Sequence, residues 1–243
     1  MYTPNELTKM VFFDFETAPY YESLDELAQA NPKMASLWST RCEYLRSRFD
    51  ENKDKTDEEL YLEKAALTAE FGRLVCASFG RVTWVGEEPS AIIKSYVSED
   101  ETEVLAGVEK VFNKFASLKF TGHNIKRFDI PYACKRLLIN GDALPKGLQV
   151  TNMKPWEMPF IDTSEVWSFG AWQEGFASLD LLATCLGLES PKEEMHGSEV
   201  GEYFRRGQLI EISKYCEQDV LATINILLKL SGQPRVEDYE KQP

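Results

Sequence analysis

Met10-Val11-Phe12-Phe13-Asp14-Phe15-Glu16-Thr17 is the stretch that decides how the chain folds. Its first four residues make a short continuous apolar run, as in a strand buried on both faces, and the run passes directly into alternating acids and aromatics. Side chains at i and i+2 of a strand share a face, so Asp14 and Glu16 project together while Phe13 and Phe15 pack on the opposite side. Two carboxylates presented in this way form a platform for a metal ion. An acidic turn closing a strand has the same composition, and the pair alone does not separate the two readings.

Outward from this strand the character of the chain changes. Residues 20–71 are charged and helix-forming, with spaced apolar positions at Leu37, Leu45, Phe49, Leu60 and Leu67, which predicts a helical insertion. Strand patterns return at Leu74–Phe79 and Ile92–Val97, separated by Gly86 and Pro89. A helix from Glu101 to Phe115 is expected next, then a short strand near Lys119–Thr121 and a helix from Asp129 that closes at Asn140-Gly141. The Gly- and Pro-rich segment 141–159 reads as a long surface loop before a strand at Phe160–Asp162. Ser178 is a candidate N-cap for a helix running to Gly187, and the last helix spans about Ile210 to Leu230. Strands alternating with helices indicate an α/β fold.

The chain has 243 residues, 43% hydrophobic and 12% aromatic, which is enough for a substantial core and excludes a mainly disordered protein. The formal charge, 27 − 40 = −13, opposes a non-specific polyanion binder unless carboxylates hold divalent cations that invert the local field. Five scattered cysteines without a Cys-x-x-Cys pair read as reduced thiols, and no apolar run approaches the roughly 20 residues that cross a bilayer. A soluble, cytoplasmic protein without membrane association is expected.

Two further clusters carry candidate chemistry. In the last helix Tyr215 and Asp219 are four residues apart and stack on one face, beside an apolar stripe of Ile212, Cys216, Val220, Ile224 and Leu227. A carboxylate buried there needs a cation or hydrogen bonds, whereas one at the edge of the stripe is solvated. Asn124, Phe128 and Asp129 stand where a strand ends and a helix begins, a place where Asp129 could equally serve as an N-cap. Lys126-Arg127, Lys135-Arg136 and Arg205-Arg206 are either solvated charge or guides for a phosphate backbone. Asp162 reads as a helix N-cap, with a group that supports the site from behind as its other reading, and His123 reads as a turn residue.

Taken together, the three clusters resemble the three exonuclease motifs of the DnaQ-like superfamily: Phe13-Asp14-Phe15-Glu16-Thr17, Asn124-Ile125-Lys126-Arg127-Phe128-Asp129 and Tyr215-Cys216-Glu217-Gln218-Asp219. Position 214 is Lys and position 215 is Tyr, which resembles the DEDDy branch and, within it, stand-alone exonucleases related to the proofreading domain of family B DNA polymerases. The resemblance covers residues 8–230. It implies an RNase H-like mixed central sheet flanked by helices, with the 20–71 insertion after the first strand and a C-terminal tail at 231–243, all in a single domain over 1–243. It further implies hydrolysis of phosphodiester bonds from a nucleic-acid 3′ end, single-stranded DNA favoured and RNA open, with release of nucleoside 5′-monophosphates. The implied cofactors are two Mg²⁺ or Mn²⁺ ions held by Asp14, Glu16, Asp129 and Asp219. Tyr215 orients water, and Thr17, Asn124 and Phe128 contact substrate. The alternative is a catalytically silent RNase H-like module that binds nucleic acid or a protein partner. The insertion could gate the site, mediate self-association or grip duplex.

Overall fold

The computed structural model describes residues 1–154, 156–171, 177–189 and 195–242; position 155 of the expected 141–159 loop and position 243 of the expected tail lie outside them. After a capped turn, α1 (Pro4–Leu7), the chain enters β1 (Met10–Pro19). Three helices follow, α2 (Leu24–Ala30), α3 (Pro32–Arg48) and α4 (Asp57–Lys64), before the hairpin β2 (Gly72–Val85) and β3 (Glu88–Val97). Then come α5 (Glu101–Lys114), β4 (Lys119–Gly122), α6 (Asp129–Asn140), β5 (Phe160–Asp162) and the short α7 (Thr163–Trp167). The chain ends with α8 (Leu179–Cys185), α9 (Val200–Arg205), α10 (Leu209–Leu230) and β6 (Tyr239–Lys241).

The six strands form one mixed sheet in the order β5-β4-β1-β2-β3-β6, with β1 antiparallel to β2 and parallel to β4. The alternation of β1 decides what covers each face. Val11, Phe13 and Phe15 enter a core with Val104, Val108 and Phe112 of α5 and Ile130 and Leu137 of α6. Met10 and Phe12 point the other way and pack on Val220, Ile224 and Leu227 of α10, the stripe expected from the sequence. This is an α/β fold with helices on both faces of the sheet.

The insertion has its own core around the fully buried Trp38, with Leu27, Cys42, Leu60, Tyr61 and Phe71. Its return to β2 is tied to α6: the Tyr132 hydroxyl donates to the Ala66 carbonyl at 2.9 Å, and Arg136 Nη1 donates to the Ala69 carbonyl at 2.9 Å. Gly72 makes this approach possible, since a Cβ there would lie 2.2 Å from the Tyr132 hydroxyl.

The segment 231–243, expected as a tail, instead supplies the edge strand β6, parallel to β3. Its side chains are used as well: the Tyr239 hydroxyl donates to Glu217 Oε2 at 2.8 Å, and Lys241 Nζ lies 2.7 Å from Glu217 Oε1.

Candidate active site

β1 and α10 are locked together where the acids lie. The Cys216 thiol donates to the main-chain oxygen of Asp14 at 3.3 Å, which sets the face of α10 bearing Tyr215 and Asp219 against the strand face bearing Asp14 and Glu16. Asp14, Glu16 and Cys216 each place a potential ligand atom within 4.8 Å of the other two. Glu217, between Tyr215 and Asp219 in the sequence, points away and is fully buried, accepting from Ser95 at 2.7 Å and Ser213 at 2.9 Å as well as from β6. Burial pushes its carboxyl up, but these hydrogen bonds and Lys241 outweigh burial and hold it below the usual range.

Asp129 reaches the same place by another route. β4 runs parallel to β1, so both deliver their carboxyl ends to one edge of the sheet, where open α/β sheets bind ligands. The chain turns there at Gly122, where a Cβ would sit 2.2 Å from Ile125 Cγ2 and 2.8 Å from the Phe13 carbonyl. Asn124 adopts φ 59°, a left-handed conformation that Asn tolerates better than most residues. The turn is held from beneath by Asp162, whose carboxylate accepts from the Asn124 amide at 2.8 Å and the Lys126 amide at 3.1 Å while also capping α7. His123 is spanned by Thr163 Oγ1 and the Ala177 carbonyl, each at 2.9 Å. With Phe128 as N-cap, Asp129 is the first residue of α6, where the helix dipole favours a negative charge. Its Oδ1 accepts from the Phe15 amide at 3.2 Å, so its carboxylate lies against β1 between Asp14 and Glu16 in the sequence.

Electrostatics record how close these groups are. Burial first, then the charges of Asp219 and Asp129, raises the Asp14 carboxyl well above its usual value. Burial, then Asp14 and Asp219, does the same to Glu16. Asp129 is pushed up to about 7, mainly by burial with contributions from Asp162 and Asp219, against hydrogen bonds from its own amide and that of Phe15. The Tyr215 phenol is raised by burial, Asp219, Glu16 and Asp14, which keeps it protonated at neutral pH. Carboxylates that raise one another in this way are relieved by cations, and oxygen donors of this kind suit hard ions such as Mg²⁺ or Mn²⁺. The Cys216 thiol is pushed up by burial and by neighbouring Cys76, so it serves the carboxylates as a neutral donor. Both ring nitrogens of His123 are engaged, which leaves the cluster without an imidazole from that residue. The donor set therefore fits hard divalent ions.

The remaining candidates divide. Phe128 is half-buried at the rim, its ring 5.3 Å from that of Tyr132. Thr17 follows a register shift in β1, is buried, and lies beside the Tyr132 hydroxyl. Asn124 presents its backbone to Asp162 and does not lie in the helix with Phe128. Among the basic pairs, Arg136 is buried, donating to Glu101 from Nε at 2.8 Å, and belongs to the scaffold. Lys126 pairs with Glu165 at 2.6 Å, and Arg206 pairs with Glu202. Sequence reasoning overlooked Cys216, although it stands three residues before Asp219 and hence on nearly the same helix face. For Asp162 the sequence favours the cap over a supporting role at the site; its carboxylate does both, since it also shapes the turn before Asp129.

A family model described as "Predicted 3'-5' exonuclease related to the exonuclease domain of PolB" matches residues 65–241. The chain belongs to this family. No curated protein matches it. The solved family B DNA polymerase from the hyperthermophilic archaeon Pyrobaculum calidifontis is similar with a TM-score of 0.54 and 16% identity, over 91% of this chain and 24% of the polymerase chain. This chain thus spans about a quarter of that polymerase, and at such identity the likeness concerns the fold. The family and the fold agree with the DnaQ-like relation. Among the described residues no helix is long and apolar enough to cross a membrane.

Proposed function

We propose that the chain is a 3′–5′ exonuclease, a single domain over 1–243, that removes nucleotides from the 3′ end of single-stranded DNA and releases nucleoside 5′-monophosphates in the cytoplasm. What supports this reading is the meeting of carboxylates from three distant segments: Asp129 accepts from the amide between Asp14 and Glu16, and the Cys216 thiol joins β1 to the helix that bears Tyr215 and Asp219.

Asp14, Glu16, Asp129 and Asp219 would hold two divalent cations, Mg²⁺ or Mn²⁺. When bound, such ions acidify a water and neutralise charge on the phosphoryl and leaving oxygens. The Tyr215 hydroxyl, kept protonated by its surroundings, orients that water and cannot act as its base. Glu16, on the strand face opposite Tyr215, shares the positioning. Phe128 offers a ring at the rim on which a terminal base stacks without regard to sequence. Asn124 shapes the turn beside it, and Thr17 supports the rim through Tyr132.

The test is shortening of a 5′-labelled single strand in Mg²⁺ or Mn²⁺. We expect Asp14→Ala to abolish it while the circular dichroism spectrum stays that of the unaltered protein. Persisting activity in that variant refutes the assignment. Tight, metal-independent binding of the strand without hydrolysis would instead favour a silent binding module.

A further inference from the structure

A groove of about 450 Å³ opens between the insertion and α6, and its lining includes Phe128, the residue before Asp129. We propose that this groove is the track for the single strand behind its terminal nucleotide, with the insertion supplying one wall; the inference rests on the exonuclease reading above.

Three observations point to this occupant. The first is continuity with the candidate site on two sides. Phe128 and Tyr132 line the groove, Phe128 adjoins Asp129, and Tyr132 lies beside Thr17, which adjoins Glu16. A strand whose last phosphodiester lies at the carboxylates would thus meet this groove next, at Phe128.

The second is charge. Arg41, Arg127 and Lys135 line the groove against one carboxylate, Glu70, in a chain whose formal charge is −13. A local surplus of cations on an acidic protein steers a polyanion to that place. Arg41 is set by a hydrogen bond from Nη2 to Thr68 Oγ1 at 3.3 Å, across from α6.

The third is apolar exposure where bases would lie. Leu37 is 46% and Leu67 57% exposed, and both line this groove with Phe128. Unpaired bases combine faces that rest on apolar or aromatic surface with a charged backbone, whereas a paired duplex hides those faces. A lining that combines cationic with apolar side chains is thus matched to a single strand. The walls are fixed relative to each other by Tyr132 and Arg136 donating to the return segment and by Lys135 paired with Glu70 at 3.0 Å. The family match begins at residue 65, so α3, which carries Leu37 and Arg41, lies outside the matched part.

The experiment follows trimming of single strands from two to about ten nucleotides long by the full chain in Mg²⁺, with KM and kcat separated. The unaltered protein should show KM falling with strand length. Arg41→Glu and Leu37→Glu, both at exposed positions, should each raise KM on the longest strand about tenfold with kcat within roughly twofold, and Arg41→Glu should flatten the salt dependence of KM. Arg41→Lys should restore most of the loss. An unchanged KM in both Glu variants overturns the inference, as does a fall in kcat at constant KM. If the unaltered protein trims no strand of any length, the exonuclease reading itself falls, and this inference with it.

Discussion

Replacing Asp129 with Asn isolates what cations do for this site. The Asp129 carboxyl is nearly inaccessible and is pushed from 3.8 to about 7, chiefly by burial and then by Asp162 and Asp219. In the unfolded chain it ionises near 3.8, while in the folded, metal-free protein it holds its proton to about 7. Its contribution to stability is thus fully present below pH 4 and lost as pH rises to 7, a loss of roughly 4 kcal/mol at 1.36 kcal/mol per pH unit. Asn carries no charge, yet its oxygen can still accept from the Phe15 amide. In EDTA at pH 8, Asp129→Asn should therefore stabilise the protein by about 2–4 kcal/mol, an effect that vanishes near pH 4. Each kcal/mol corresponds to about 2–4 °C in Tm for a chain of this size. Adding Mn²⁺ should reverse the order, because the ion stabilises most the protein that binds it most tightly, and the parent has all four carboxylates. Urea denaturation at both pH values, with and without Mn²⁺, measures all of this. A variant less stable than the parent in EDTA at pH 8, or a difference independent of pH, would refute the account.

Tyr215→Phe preserves the ring and its packing but removes the hydroxyl, so kcat should fall by about a hundredfold with little change in KM, as read by single-turnover trimming. The alkaline limb of the parent's pH profile should not follow phenol ionisation, since that group is held above its usual range. Glu101→Ala leaves the buried Arg136 guanidinium without its carboxylate and should cost about 3–5 kcal/mol in urea denaturation.

The parts of the fold written in local pattern were readable from the sequence. β1 announces itself by an apolar run that gives way to alternation, and α10 by a stripe at helical spacing, so the faces of Asp14, Glu16, Tyr215 and Asp219 followed from periodicity. What escaped depends on distant partners. Arg136 looks like any surface arginine until Glu101, 35 residues away, accepts from its Nε and Nη2. β6 is three residues long and has no apolar run, and its place comes from pairing with β3 and from Glu217. The register shift after Glu16 is likewise unmarked, and it decides that Thr17 meets Tyr132.

Glu217 turns α10 into a part braced from both sides. One side of the helix offers Tyr215 and Asp219 to the acidic cluster, while the other is moored, through Glu217, to Ser95 of the hairpin and to the final strand. A lesion among the last few residues, far in sequence from any candidate ligand, would loosen the mooring and let the helix rotate. The site would then suffer through its posture, with every one of its own side chains intact.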